Sequence, residues 1–219
     1  MGNKFNNNII TKVPPDYYYQ GIKKNVFQSK WHYGKLNAVL NLIKFNFKKV
    51  LDVGCASGWF TYQIAQRFPH CQIVGIDIYR KAIQYAKSIN ENNKKIHFRQ
   101  ANANKLPFKN NQFDLIICAE VIEHVNNPKK TLMEIKRVLA PRGFLLIEMD
   151  TGNWLFKIIW YLWTKFLKGK VWKKAHINLL NTKILEELLV SSGYKIKSKK
   201  IFNYSMGVIF LCSKILKTS

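Results

Sequence analysis

Between residues 48 and 149, five short apolar runs are separated by helix-like stretches and loops. The runs are KKVLDV (48–53), CQIVGID (71–77), KIHFRQA (95–101), FDLIICA (113–119) and GFLLIEM (143–149), with helical patterns at 58–68, 79–90 and 128–139. Their apolar residues are continuous rather than alternating, so each strand must be covered on both faces. Parallel strands joined by crossover helices meet that demand. Pro141-Arg142-Gly143 marks the last helix-to-strand turn. Farther on come a helix at 181–192, ended by Ser-Gly, and two strand-like runs, YKIKSKKIF and GVIFLCSKI. These two runs are too close for a crossover and must pair as an antiparallel hairpin. The predicted fold class is therefore α/β: a three-layer sandwich around a seven-stranded, mostly parallel sheet with a C-terminal antiparallel hairpin.

Ahead of this core, residues 26–45 read as a helix, with Val26, Phe27, Trp31, Leu36, Val39, Leu40 and Ile43 at helical spacing. Residues 1–15 are polar and end in Pro14-Pro15, which suggests a loose arm. The expected organisation is an N-terminal arm (1–25) and one domain (26–219). A chain of 219 residues has room for one sizeable core, and 47% hydrophobic residues exclude wholesale disorder.

Four cysteines (Cys55, Cys71, Cys118, Cys212) show no CxxC pair and no metal spacing, so buried thiols in a reducing compartment are expected. No signal-peptide core is visible, and no apolar run reaches the about 18 residues of a membrane span. The expected location is cytoplasmic. The net charge of +24 is unusual, and only five of the 36 basic residues are arginine. The excess is concentrated outside residues 50–149. Such a field attracts anionic lipid or nucleic acid without specificity; codon bias with solubility is the plain alternative.

The turn after the first strand reads VLDVGCASGWFT. A dinucleotide site would carry G-x-G-x-x-G here. This chain has Asp52-x-Gly54-x-x-x-Gly58, with a carboxylate at the strand end where a pyrophosphate would be repelled. The acid suits a cofactor bearing positive charge instead. The second strand ends in Gly75-Ile76-Asp77, placing an acid where it can accept two ribose hydroxyls. This arrangement, with the Leu106-Pro107-Phe108 turn and FDLII after it, resembles the class I S-adenosylmethionine-dependent methyltransferases. Within them it is similar to the type-11 branch that includes quinone-biosynthesis methyltransferases. The resemblance covers residues 48–149 well and 176–215 more loosely, and implies a Rossmann-like sandwich with S-adenosyl-L-methionine as cofactor. It further implies that Asp52, Gly54 and Gly58 form the first motif, that Asp77 holds the ribose, and that Ile78 lies against adenine. Asn102 and Ala103 would meet the adenine ring. Two positions depart from the family: Asn102 replaces the usual Asp, and Ala56 replaces the middle glycine. The methyl of Ala56 costs little if its φ is negative, and of order 1 kcal/mol or more if positive.

The fourth strand ends in CAEVIEHVNNP, which puts Glu120, Glu123 and His124 at the carboxyl edge of the sheet, where such sheets bind ligands. These are the candidate catalytic residues. His124 could serve as base toward a hydroxyl, phenol or carboxyl acceptor. The same E-x-x-E-H spacing resembles a divalent-metal site in some ribose and quinone O-methyltransferases, with His176 as a fourth ligand. A structural turn is the third reading, and no metal is assigned.

The segment NWLFKIIWYLWTKFLKGKVWKK, residues 153–174, is an insert. On a helical wheel Lys157, Tyr161, Thr164, Lys165 and Lys168 share one arc, and bulky apolar residues cover most of the rest. An interfacial helix at 153–168, acting as a lid that admits an apolar acceptor, fits this pattern. A helix packed on the domain or a second subunit, or a basic aromatic surface for RNA, would also fit. The expected acceptor is a small apolar or lipid-like molecule, with an anionic membrane surface as a candidate partner at the inner membrane face. RNA ribose methylation and a non-catalytic binding protein that keeps the fold are the rivals; nucleic acid is the weaker partner.

Overall fold

The computed structural model describes residues 13–166 and 180–215. Seven strands form one sheet: β1 (Lys49–Val53), β2 (Gln72–Asp77), β3 (Ile96–Gln100), β4 (Phe113–Ala119), β5 (Leu139–Asp150), β6 (Tyr194–Phe202) and β7 (Gly207–Lys214). Their order is β3-β2-β1-β4-β5-β7-β6. β1 to β5 pair in parallel, whereas β7 pairs antiparallel with both β5 and β6. The fold class read from the sequence is the one observed.

Helices α1 (Tyr17–Lys24), α2 (Val26–Leu42), α3 (Trp59–Arg67), α4 (Arg80–Ile89), α5 (Pro128–Val138), α6 (Trp154–Phe166) and α7 (Thr182–Ser191) complete the described elements. Side chains of successive strand residues project to opposite faces, so each strand feeds two cores. Along β4, Leu115 and Ile117 join Leu36 and Val39 of α2, Ile64 of α3 and Ile83 of α4. Ile116 and Cys118 join Leu132 and Ile135 of α5 with Leu185 and Leu189 of α7. All four cysteines are buried free thiols.

Asparagine starts four of these helices, Asn153 accepting from the Phe156 N–H at the start of α6. Asn25 accepts from the N–H groups of Phe27 and Gln28, Asn127 from Lys130, and Asn181 from Ile184. Each satisfies donors that the first turn cannot pair internally. Pro128 follows its cap at the first helical position, where its missing N–H costs nothing.

The structure departs from the sequence reading in three places. The arm holds α1, packed against α2. β5 begins at Leu139 rather than at 143, because Phe113 pairs with Leu139 before the register shifts to Leu115–Phe144. Helix α2 ends at Leu42, ahead of the predicted 45. The insert after Phe166, including Lys168 and the run to Lys174, lies outside the described residues, as does His176.

β6 is an outer edge of the sheet, and along it Lys195, Lys197 and Lys199 are exposed at every second position. Asp114 in β4 accepts from the backbone of Lys48 and Lys49, tying in the start of β1. The Leu106-Pro107-Phe108 turn is fixed from α5. Arg137 donates to the carbonyls of Leu106 (2.9 Å) and Phe108 (2.8 Å), and Glu134, which it also binds, accepts from the Leu106 N–H. Arg137→Met strips donors from two carbonyls and leaves Glu134 uncompensated. We expect it to lower stability by ~1–3 kcal/mol, read as a lower urea midpoint with an unchanged slope.

Candidate functional site

The strand order reverses between β1 and β4, and the parallel strands all end on the same edge there. That is the position at which open α/β sheets bind ligands. At the end of β1, Asp52 is 3% exposed and accepts from the Thr61 hydroxyl at 2.6 Å. Burial pushes its carboxyl up to about 6, against the pull of Thr61 and Lys35. The following turn is pinned to β2, because the N–H groups of Gly54 and Cys55 both donate to the Ile76 carbonyl. Gly54 has φ +79°, and a Cβ there would collide with Val121. Gly58, with φ +78°, caps α3, where a Cβ would press into Phe98.

Ala56 has φ +44°, so this departure from glycine carries the left-handed cost. Its N–H donates to Asp77 Oδ2 at 3.0 Å, and the Tyr79 N–H donates to Oδ1 at 2.8 Å. Burial raises the Asp77 carboxyl against those two bonds. Each oxygen retains acceptor capacity for a hydroxyl. Asn102 Oδ1 accepts from the Asn104 N–H at 2.9 Å, with a lone pair to spare.

Asp52, Gly54, Asp77, Ile78, Asn102 and Ala103 line one cavity of about 190 Å³, together with Glu120 and His124. Gly58 stands behind its wall, and Glu123 is buried at 3% exposure outside the lining. The roof comes from the N-terminal segment. Pro14, Tyr18, Ile22, His32 and Lys35 all reach the cavity, and Tyr18 and Ile22 belong to the stretch read as an arm.

Six of the chain's 12 acidic residues gather at this edge: Asp52, Asp77, Glu120, Glu123, Glu148 and Asp150. Glu120 has φ +53° and is clamped by α2: Lys35 Nζ lies 3.1 Å from its Oε1, and the Trp31 indole donates to the same oxygen at 3.0 Å. Burial is the largest influence on Glu120 and opposes its charge, but Lys35, His32 and the Trp31 indole together outweigh it and the carboxyl is pushed down to about 2. Glu148 is fully buried, and burial pushes it up to about 8 although Lys35 Nζ is 4.0 Å away. Burial, with Glu120 nearby, raises Asp150 to about 7. His32 is driven down to about 3 by burial and then by Lys35, so it is a neutral imidazole at pH 7.

Among the described residues no three His, Cys, Asp or Glu are arranged to hold a metal. Glu120 spends its carboxylate on Lys35 and Trp31 instead. Sequence reasoning missed Lys35, His32, Glu148 and Asp150. Their signal was a polar group in an apolar setting: Lys35 falls one turn after Trp31 on the helix, and Glu148 interrupts FLLIEM.

Helix α6 is joined to this site by Phe156, whose ring lies 6.3 Å from that of Trp31. The wheel put Thr164 on the solvent arc, yet Thr164 is buried and donates to the Trp160 carbonyl. The inner face is Phe156, Trp160 and Thr164, while Trp154 (72%), Ile158, Ile159, Leu162 and Phe166 (65%) are exposed. Among the described residues no helix is long and apolar enough to cross a membrane.

A family model described as a methyltransferase domain matches residues 45–193. An uncharacterized protein of Haemophilus influenzae is 39% identical over 113 residues, 48% of this chain and 45% of that one. The ubiquinone biosynthesis O-methyltransferase of Rickettsia canadensis is 29% identical over 73% of this chain and 67% of its own length. The chain thus spans less than half of the first relative. A SAM-dependent methyltransferase from Aquifex aeolicus has the same fold, with a TM-score of 0.69, 20% identity and coverage of 93% of this chain and 100% of that one.

The left-handed turn yields a stability test. Ala56→Gly relieves roughly 1–2 kcal/mol of backbone strain and returns ~0.4–1 kcal/mol of unfolded-state entropy. We expect a net gain of ~0.5–1 kcal/mol, seen by calorimetry as a Tm higher by about 1–4 °C.

Proposed function

The chain belongs to the methyltransferase-domain family, with S-adenosylmethionine as its cofactor, and from that premise we propose that it methylates an oxygen of a small apolar or lipid-like acceptor. The observation that carries this reading is the single cavity in which the β1 turn, Asp77 and Asn102 meet Glu120 and His124. The name of the Rickettsia relative supports oxygen as the methylated atom. Within the arm of residues 1–25, which precedes one domain at 26–219, Pro14, Tyr18 and Ile22 are read as part of the cofactor site.

The residues present fit the cofactor. Gly54 provides the left-handed turn that a side chain, blocked by Val121, could not adopt there, Asp77 keeps acceptor capacity for two ribose hydroxyls, and Asp52 offers a carboxylate to an ammonium. Ile78 and Ala103 supply apolar walls for adenine, and Asn102 a polar edge. When bound, the cofactor supplies a methyl group already activated on a sulfonium. The chain's own residues are left with orientation, exclusion of water and removal of one proton. The roof of α1 and α2 shields the cavity from solvent. His124, past the end of β4, takes the proton from the acceptor hydroxyl as the oxygen attacks, and later releases it to solvent. Glu123, buried and one residue before His124, is assigned to support that segment, and Glu120 to hold the roof.

These roles separate in an experiment. Asp77→Ala removes charge-assisted hydrogen bonds worth ~1.5–3 kcal/mol each, so calorimetry should show S-adenosylhomocysteine binding at least about tenfold weaker. His124→Ala should bind it normally and lose about 10²-fold in turnover. Unchanged affinity in the first variant would remove Asp77 from the cofactor site.

The exposed apolar face of α6, in a chain of charge +24, favours an acceptor delivered from an anionic membrane surface. Replacing Trp154 and Phe166 by serine should weaken binding to anionic vesicles at low salt in a sedimentation assay. Cofactor affinity should stay unchanged, because neither residue lines the cavity.

A further inference from the structure

Resting on the cofactor reading above, we propose that Lys35 is a positioning residue. It couples the roof of the cavity to its floor and thereby sets how tightly the cofactor is held. Among the described residues it is the buried cation amid this acidic edge: its side chain is 7% exposed, 3.1 Å from Glu120 and 4.0 Å from Glu148. It sits on α2, one helical turn from Trp31, whose indole binds the same oxygen of Glu120. The residue they clamp closes β4 in a left-handed conformation that a non-glycine residue holds only when its surroundings enforce it.

The roof is thus the counter-ion of the floor. With α2 lifted, Glu120 and Glu148 would face each other with Glu123 and Asp150 and no lysine between them. With α2 seated, a buried ammonium would stand unpaired if Glu120 were absent. Each half makes burial of the other tolerable, because a buried charge stripped of its partner is strongly destabilising. α2 also brings His32 to the cavity and packs on α1, which adds Tyr18 and Ile22. Cofactor held against these side chains can leave only when they lift, and lifting breaks the Lys35–Glu120 contact. Phe60, whose ring centroid is 6.0 Å from the ammonium, fills the remaining side of the lysine.

The test uses the full chain and S-adenosylhomocysteine as probe, with two readouts: affinity by calorimetry and tryptic cleavage after Lys23, Lys24 and Lys30 in the roof, followed by mass spectrometry. Lys35→Met should bind at least about tenfold more weakly and be cut faster in the roof, with or without the probe. Lys35→Arg should keep both properties near wild type. The double variant Lys35→Met with Glu120→Gln leaves no charge unpaired and should recover most of the affinity and protection, a reversal that simple loss of packing would not show. If Lys35→Met does not fold, the double variant alone decides, since it should fold and bind. Affinity within twofold of wild type in Lys35→Met, or a double variant no better than the single, overturns the proposal. If the wild type itself fails to bind the probe, the cofactor reading falls. Roof cleavage in the unliganded variants then still judges the latch, and equal rates in wild type and Lys35→Met reject it.

Discussion

Parallel pairing is the constraint from which the rest of this molecule follows. A strand that runs beside its neighbour in the same direction must return by a crossover, so β1 to β5 all finish at one edge. Every loop leaving that edge is delivered to the same place, whatever its distance in the chain. Asp52, Asp77, Asn102 and Glu120 are separated by up to 68 positions, yet they border one cavity. The glycine turn supplies what a side chain would obstruct, and the reversal of strand order between β1 and β4 leaves the crevice in which it can be used.

The same edge concentrates negative charge in a chain that is strongly basic elsewhere. Burial away from water raises the pKa of a carboxyl, and Glu148, fully enclosed, rises although Lys35 lies 4.0 Å away. Glu120, whose side chain is 24% exposed, goes the other way, because Lys35 at 3.1 Å, His32 and the Trp31 indole together outweigh its burial. Two carboxyls at the ends of adjacent strands are thus pushed in opposite directions, by full enclosure at Glu148 and by the Lys35, His32 and Trp31 contacts at Glu120.

Strand count, strand type and the hairpin were legible because each strand is a continuous apolar run whose covering helices have clear periodicity. The cofactor motif was legible for a related reason: a turn that needs left-handed backbone and close approach is restricted to few residue types, and Gly54 and Gly58 meet that need. Ala56 was not decidable from the sequence, since alanine tolerates either sign of φ at different cost. Helix α1 was missed because YYYQGIKK carries a mid-helix glycine and its Asp16 cap makes no side-chain cap bond, so its helicity rests on packing against α2. Lys35 and Glu148 were passed over because charged residues are ordinarily assigned to solvent. Only the fold brings them together, with Lys35 Nζ 3.1 Å from Glu120 and 4.0 Å from Glu148. On α6 the wheel located two faces but not their orientation. Bonding of the Thr164 hydroxyl to the backbone of its own helix removed the polar character that would have kept it outside.

The lysines along β6 acquire a purpose from their position. An outer strand presents an open row of backbone donors and acceptors, onto which any other extended chain, including another copy's edge, could add. Lys195, Lys197 and Lys199 stand at alternate positions of that row, so a second edge of the same kind would bring one file of ammonium groups up against another. Lys199 is tied to Glu186 at 2.9 Å, so the repulsion comes mainly from Lys195 and Lys197, and it acts before the first one or two backbone bonds can form. A composition that looks like indiscriminate surplus thus works as a guard at the one strand the sheet leaves open on this side, and keeps a long β surface from acting as a template for itself.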